Sequence, residues 1–247
     1  MATHYSAEAL VFKTEDRAEA DRVFAVFTRQ FGRLEITAKA ARKINSKLRP
    51  GMQLFSLSDI EFIRGKSKNI LTDAAFCPTP GIGRSESLKK ISARPELLQA
   101  AFEISDVADV FIKGEEKDER IFTLLREAFE KLNIGHSESA VFQYFFWNFM
   151  ASLGYAPQTS CCANCTKLLQ PERNYFSATA GGIICGACQM VKDGIEMSTD
   201  SIKILRLILR KDWATLIKLK NLRQCIEPLE KVSRHYYHYL ADAKVHV

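Results

Sequence analysis

No stretch of this chain reaches the roughly 18 uninterrupted apolar residues that a membrane-spanning helix needs. The richest apolar run, Ala140 to Leu153, contains Gln143 and Asn148 and reads as a buried helix. Residues Met1 to Glu15 lack the basic start and apolar core of a secretory signal, so the cytoplasm is the expected compartment. A Walker-type phosphate loop is missing, which argues against ATP hydrolysis. None of the five histidines, His4, His136, His235, His238 and His246, belongs to an HExxH pattern. Carboxylates such as Asp59 and Glu61 stand in no context that marks a magnesium site, and no catalytic constellation emerges. Repeats and low-complexity tracts are also missing. Disorder is excluded by composition: 47% of the residues are hydrophobic and 16 are phenylalanine. The 247 residues suffice for two small domains.

What is present divides near residue 80. Glu8–Lys13 is a short extended run, and Arg22–Thr28 carries Val23, Phe24, Val26 and Phe27. Leu34–Ala38 alternates at the strand period, and Met52–Phe62 and Ile70–Phe76 follow, with Gly32 and Gly65 as turns. Several short strands with glycine-marked turns predict a small barrel over residues 1–80. Phe24, Phe27, Phe31 and Phe55 are read as its core rather than as base-stacking residues. Pro78, Pro80, Gly81 and Gly83 mark a boundary, and residues 81–247 read as mainly helical. Helices are expected from Pro95 towards Ile112, from Asp118 to Leu132 with Gly135 as its stop, and from Ser137 to before Gly154. Ser198-Thr199-Asp200 reads as the cap of a later helix, and a last helix runs from about Glu227 to Leu240.

Turn-rich, cysteine-rich sequence at about 157–192 interrupts the helices. Cys162-x-x-Cys165 and Cys185-x-x-Cys188 are separated by nineteen residues. Two such knuckles let four thiolates surround one zinc ion, and four protein ligands leave no open position for catalysis. One structural zinc per chain is therefore expected. Cys161 offers an alternative register, but its three-residue gap to Cys165 is the poorer fit. Cys77 and Cys225 are isolated and read as core residues.

The formal charge is +6, from 35 Lys and Arg against 29 Asp and Glu, and distribution says more than the sum. Lys39, Arg42, Lys43, Lys47 and Arg49 lie in one acid-free segment. Arg64, Lys66 and Lys68 surround Gly65, and Arg84, Lys89, Lys90 and Arg94 extend the series. On a small barrel such groups make a phosphate-tracking surface, though charge runs also occur on plain solvated faces. A third run begins at Arg206, Arg210 and Lys211 beside Leu205 and Leu209, and suits an acidic, apolar partner peptide or DNA.

Together these residues resemble the RecO family of bacterial DNA repair proteins. Glu8–Lys13 looks like that family's first strand, Glu19 and Asp21 like its acidic pair, and Phe27-Thr28 with Gly32 like the strand and turn that follow. Ala38-Lys39-Ala40-Ala41-Arg42-Lys43 with Ser46 is similar to its basic motif, except that the family usually has glycine where Ala40 stands. Arg64-Gly65-Lys66 resembles its glycine–lysine turn, and Leu153-Gly154-Tyr155-Ala156-Pro157 its lead-in to the zinc module. The resemblance implies an α+β protein: an N-terminal OB-fold, a helical C-terminal domain and an inserted four-cysteine module. It implies a non-catalytic role, with binding of single- and double-stranded DNA and annealing of complementary strands. It also implies work with RecR to replace single-strand-binding protein by RecA, and hence a place at the nucleoid. Lys39, Arg42 and Lys43 carry over as DNA-binding positions; Lys47 and Arg49 are added on charge. The C-terminal tail of single-strand-binding protein is the expected occupant of the Arg206 region. A zinc-containing RNA-binding or transcription factor, a metal-dependent nuclease and a purely structural interaction protein remain as alternatives.

Overall fold

The computed structural model describes residues 3–17, 19–77, 89–112, 114–171, 173–189 and 194–245. Five strands, β1 (His4–Arg17), β2 (Asp21–Thr28), β3 (Gly32–Ala38), β4 (Leu57–Arg64) and β5 (Asn69–Phe76), close into a barrel in the order β1-β2-β3-β5-β4. Only the β3–β5 contact is parallel. β1 pairs with β4 through His4–Leu10 and with β2 through Ala9–Arg17, with a register shift between Val11 and Lys13 where it turns the corner. This long, bent first strand shared by two neighbours gives the OB-fold, as the resemblance implied.

Ala9, Val11, Phe24, Val26, Ile36 and Phe62 fill the barrel. Leu10, Phe12 and Phe27 face the opposite way and are equally buried, because helices α2 (Pro95–Phe111) and α3 (Glu119–Ile134) pack on β1. That double burial explains the unbroken apolar run in β1, where a one-sided sheet would alternate. Phe55 is core of this second kind: its ring meets Phe102 at 5.1 Å and Phe129 at 5.4 Å. Phe31 is half-buried against Tyr5 and Phe62. A Cβ on Gly32, where φ is +69°, would lie 2.3 Å from the Glu116 carbonyl oxygen, so this turn requires glycine.

A short helix, α1 (Lys89–Ala93), precedes α2. Pro95 stands at the start of α2, Asp118 accepts from the Arg120 and Ile121 N–H groups ahead of α3, and Gly135 closes α3 in the left-handed region. Barrel and α1–α3 make one compact unit, residues 1–136. Pro78, Pro80, Gly81, Gly83 and Arg84 lie outside the described residues.

The second unit, residues 137–247, holds α4 (Glu138–Ser152), α5 (Thr199–Leu209), α6 (Trp213–Leu216) and α7 (Leu222–Val245). Inserted between α4 and α5 is a three-stranded sheet of β6 (Asn174–Ser177), β7 (Gly182–Cys185) and β8 (Ile195–Met197), ordered β7-β6-β8. Ser137 and Ser198 cap α4 and α5. α4 is apolar nearly all round because α5 and α7 both pack on it. The Trp147 ring meets Phe176 of β6 at 5.7 Å and Tyr236 of α7 at 5.8 Å, which fastens the sheet to the helices. Its indole N–H donates to Gln143, whose amide donates to Ser233, so the buried polar atoms on this path are paired. α7 starts at Leu222, earlier than the expected Glu227, and carries Pro228 inside it. Proline deletes one ladder hydrogen bond, and burial of Ile226, Leu229 and Val232 offsets the loss. Among the described residues no helix is long and apolar enough to cross a membrane.

Candidate nucleic-acid interface and metal centre

The segment from Lys39 to Ser56 leaves β3 near the end of β1, where Arg42 meets Asp16, and returns to β4 beside the middle of β1, where Leu57 pairs with Leu10. Its first turns are pinned to the barrel. The Ala40 N–H donates to the Asp21 carboxylate at 2.9 Å, and the Arg42 N–H to the Ala20 carbonyl at 3.0 Å. Within the loop, Lys43 N–H donates to the Ala40 carbonyl at 3.1 Å and Ser46 N–H to the Lys43 carbonyl at 3.0 Å. These tight turns leave Lys39, Arg42, Lys43, Lys47 and Arg49 all exposed. Arg42 reaches the Asp16 carboxylate at 3.4 Å. Among the described residues no carboxylate pairs with Lys39, Lys43, Lys47 or Arg49. Ala40 holds the left-handed conformation, φ +53°, at the position where the resemblance calls for glycine, so the loop keeps its shape in spite of the departure. Asp21 anchors the start of this loop and is passed over by charge reasoning; its place in the acidic pair was the signal.

The other basic group sits on the β4–β5 turn, beside the start of β1, since Ile63 pairs with His4. Gly65 N–H donates to the Lys68 carbonyl at 3.0 Å, and Lys66 and Lys68 are exposed. Arg64, also exposed, lies 2.8 Å from Glu115 and stacks over Tyr5 and Phe31. The eight basic positions therefore fall on two loops, 39–49 and 64–68, which lead from and into the neighbouring strands β3 and β5, where Ile36 pairs with Asn69 and Thr37 with Ile70.

A groove of about 260 Å³ runs along the outer face of β1–β3, lined by the cations Lys13, Arg17 and Arg33 and by the carboxylates Glu15, Asp16, Glu35 and Asp109. Its cations are partly neutralised from within. Asp109 of α2 lies 3.2 Å from Lys13 and 2.8 Å from Arg33. Burial raises the Asp109 pKa, but hydrogen bonds from Arg33 and Lys13 outweigh it and hold the carboxyl below the usual range. This long-range pairing has no local sequence signal.

The four cysteines converge. Cys162, Cys165, Cys185 and Cys188 bring their sulfur atoms within 4.8 Å of one another. A tetrahedral ion with metal–sulfur bonds of about 2.3 Å needs sulfur–sulfur edges of about 3.8 Å. The Cys165 and Cys185 Sγ atoms stand 3.8 Å apart. Backbone N–H groups of Cys165 and Cys185 point at Cys162 Sγ from 3.5 and 3.4 Å. Burial pushes the Cys162 thiol up, yet these N–H groups prevail and bring it down to about 6, favouring the thiolate a metal requires. The geometry thus fits a metal, with Cys162 and not Cys161 in the cluster; Cys161 bridges to Leu168 instead. Gly181 supplies a turn at φ +68°, whereas Gly182 serves close approach: a Cβ there would lie 2.4 Å from the Gln158 carbonyl oxygen. Cys77, far from this cluster in sequence, is pushed up to about 12, chiefly by burial.

Comparison with known families decides the relationship. The family model for the N-terminal part of recombination protein O matches residues 1–77, and that for its C-terminal part matches residues 93–246. The chain belongs to the RecO family. It is 30% identical over 230 residues to the DNA repair protein RecO of Dehalococcoides mccartyi, covering 93% of this chain and 88% of that one. It is 26% identical over 242 residues to the RecO of Desulforamulus reducens, covering 98% and 91%. The RecO of Streptomyces griseus is 28% identical over 215 residues, covering 84% and 83%.

In this RecO chain the third basic run borders a cavity of about 330 Å³, lined by Thr159, Ser160, Arg206, Leu209 and Arg210. Arg206 and Arg210 stand one helical turn apart near the C-terminal end of α5. Leu205 is not the floor expected for it: it is fully buried on the core side of α5, and Leu209 supplies the apolar wall. The helical period placed both leucines on one stripe, but the two differ by about 40° around the axis. Lys211 is exposed just past the helix, outside the cavity lining. Arg206 donates through Nε at 3.0 Å, and through a terminal nitrogen, to the carbonyl of Thr159. Thr159 was invisible to charge reasoning because it contributes only its backbone.

Proposed function

We propose that this RecO protein grips the phosphate backbones of single- and double-stranded DNA with loop 39–49, assisted by Lys66 and Lys68, and anneals complementary strands. The observation that carries this reading is five exposed cations on one loop that hydrogen bonds pin to an OB-fold. Pinned cations contact phosphates without having to order a flexible chain first. They read charge rather than bases, so binding has little sequence preference. Neutralised phosphates let two like-charged strands approach, which is the physical requirement of annealing. As a member of its family the protein is a non-catalytic mediator of DNA recombination. The full reading has it act with RecR to load RecA onto DNA coated by single-strand-binding protein, whose acidic, apolar tail enters the α5 cavity. Cys162, Cys165, Cys185 and Cys188 hold one structural zinc, which fixes the loop between α4 and α5 and takes part in no reaction.

The test is strand annealing followed by fluorescence, with and without single-strand-binding protein on the strands. Accelerated pairing of complementary DNA, with end-labelled strands left intact in magnesium or manganese, supports the reading. Equal acceleration for RNA would favour an RNA-binding role, and no acceleration at any salt would leave an interaction protein.

A further inference from the structure

The α5 cavity and the cysteine module share a wall. Thr159 and Ser160 line the cavity, and only one residue separates Ser160 from the ligand Cys162. This lead-in is stitched to the module on both sides. Gln158 N–H donates to the Gly181 carbonyl at 2.9 Å, and Ile183 N–H donates to the Gln158 carbonyl at 2.8 Å. Ala163 N–H donates to the Ile183 carbonyl at 2.7 Å, and Cys162 N–H to the Lys167 carbonyl at 2.8 Å. At its other face the Thr159 carbonyl receives two donors of the Arg206 guanidinium. A guanidinium has five N–H donors in a fixed plane, so two bonds to one carbonyl oxygen set the orientation of the rest. Metal–sulfur bonds at Cys162 and Cys185 would therefore fix, through Gln158 and Thr159, the Arg206 side chain at the cavity wall.

We propose that metal loading of the four-cysteine module sets the affinity of the α5 cavity for an acidic peptide, with Thr159 and Arg206 as the mechanical link. The inference rests on the reading of that cavity as a peptide site. Two cations one turn apart, Arg206 and Arg210, match neighbouring carboxylates, and Leu209 offers an apolar contact to a terminal side chain. Without metal the lead-in loses its fixed end, Arg206 loses its orienting carbonyl, and the peptide must order both on binding. Gly182 offers a way to disturb the link while every cysteine stays. A Cβ at that position would lie 2.4 Å from the Gln158 carbonyl oxygen and 2.6 Å from its nitrogen, so Gly182→Ala must push the lead-in away.

The experiment uses the full chain and a fluorescein-labelled peptide of aspartates ending in two apolar residues. Affinity is measured on zinc-loaded protein, after chelation and after zinc is restored, with helix content followed by circular dichroism. The expected result is about tenfold weaker binding without metal, the loss of one oriented charge-assisted contact, and recovery on reloading. Gly182→Ala should keep its zinc and show a similar loss. It decides the matter if chelation also lowers the helix content. Equal affinity of the loaded, stripped and Gly182→Ala forms would overturn the link while leaving a peptide site in place. No binding by the loaded form, or unchanged binding when Arg206 and Arg210 are both alanine, would overturn the peptide reading itself.

Discussion

Replacing Ala40 by glycine should make this RecO more stable, although it removes a methyl group. Ala40 holds φ at +53°, where the Cβ of an L-residue crowds the following carbonyl at a cost of about 1–2 kcal/mol. It is kept there by its own N–H on Asp21 at 2.9 Å and by its carbonyl accepting from Lys43 at 3.1 Å. Glycine escapes the steric cost but has more freedom to lose on folding, about 0.4–1 kcal/mol. The balance is a gain of about 1 kcal/mol for Ala40→Gly. A β-branched residue fits the left-handed region worse than alanine, so Ala40→Val should lose at least as much as glycine gains. Urea unfolding followed by far-ultraviolet circular dichroism measures both. DNA affinity should stay unchanged in Ala40→Gly, because the loop already has the shape that glycine favours. A loss of stability of comparable size in the glycine variant, or a neutral valine variant, would refute the left-handed assignment and the Asp21 anchor with it.

Other outcomes follow from the same geometry. Asp109 is held below its ordinary value of 3.8 by Arg33 and Lys13 against the opposing effect of burial. Its contribution is therefore present above about pH 4 and lost as pH falls through the lower folded value; acid titration of Asp109→Asn should show a shallower stability loss than the parent. Asp21→Ala should weaken DNA binding without touching a cation, since it frees the Ala40 end of the basic loop, and amide exchange at Ala40 should rise in step. Cys185→Ser should lose the metal and destabilise the module because binding and local folding are coupled. Cys161→Ser should retain one zinc by elemental analysis; loss of zinc there would mean that the register is shifted.

The barrel was legible because its strands are short apolar-rich runs, β3 alternating among them, and its turns carry glycine at Gly32 and Gly65. Caps were legible for a similar reason: Asp118, Ser137 and Ser198 announce their helices locally. The fold class, with its OB-fold, helical part and four-cysteine cluster, came through, the OB-fold itself by resemblance. What failed to show were features fixed by distant partners. β1 runs on to Arg17 because β2 pairs with it, not because the residues after Lys13 are apolar. The start of α7 was hidden by Pro228, and β8 has only three residues, too few for a period. Leu205 and Leu209 look alike in sequence, and only packing tells the buried one from the cavity wall. Arg64 reads as a free cation until Glu115, far along the chain, is placed 2.8 Å from it. Charge patterning finds where cations are; it does not find which of them stands beside a carboxylate.

The claim that loop 39–49 holds DNA is tested most directly by fluorescence anisotropy of labelled single strands across a salt series. The comparison is between the parent and a variant with alanine at Lys39, Arg42 and Lys43, its folding checked by circular dichroism. Each lost phosphate contact lowers the magnitude of the log–log salt slope by about 0.7 for single strands, so three lost contacts lower it by about 2. The expected variant is folded, binds more weakly on every sequence tried, and has that shallower slope. A folded variant with full affinity and an unchanged slope would show that DNA is held elsewhere.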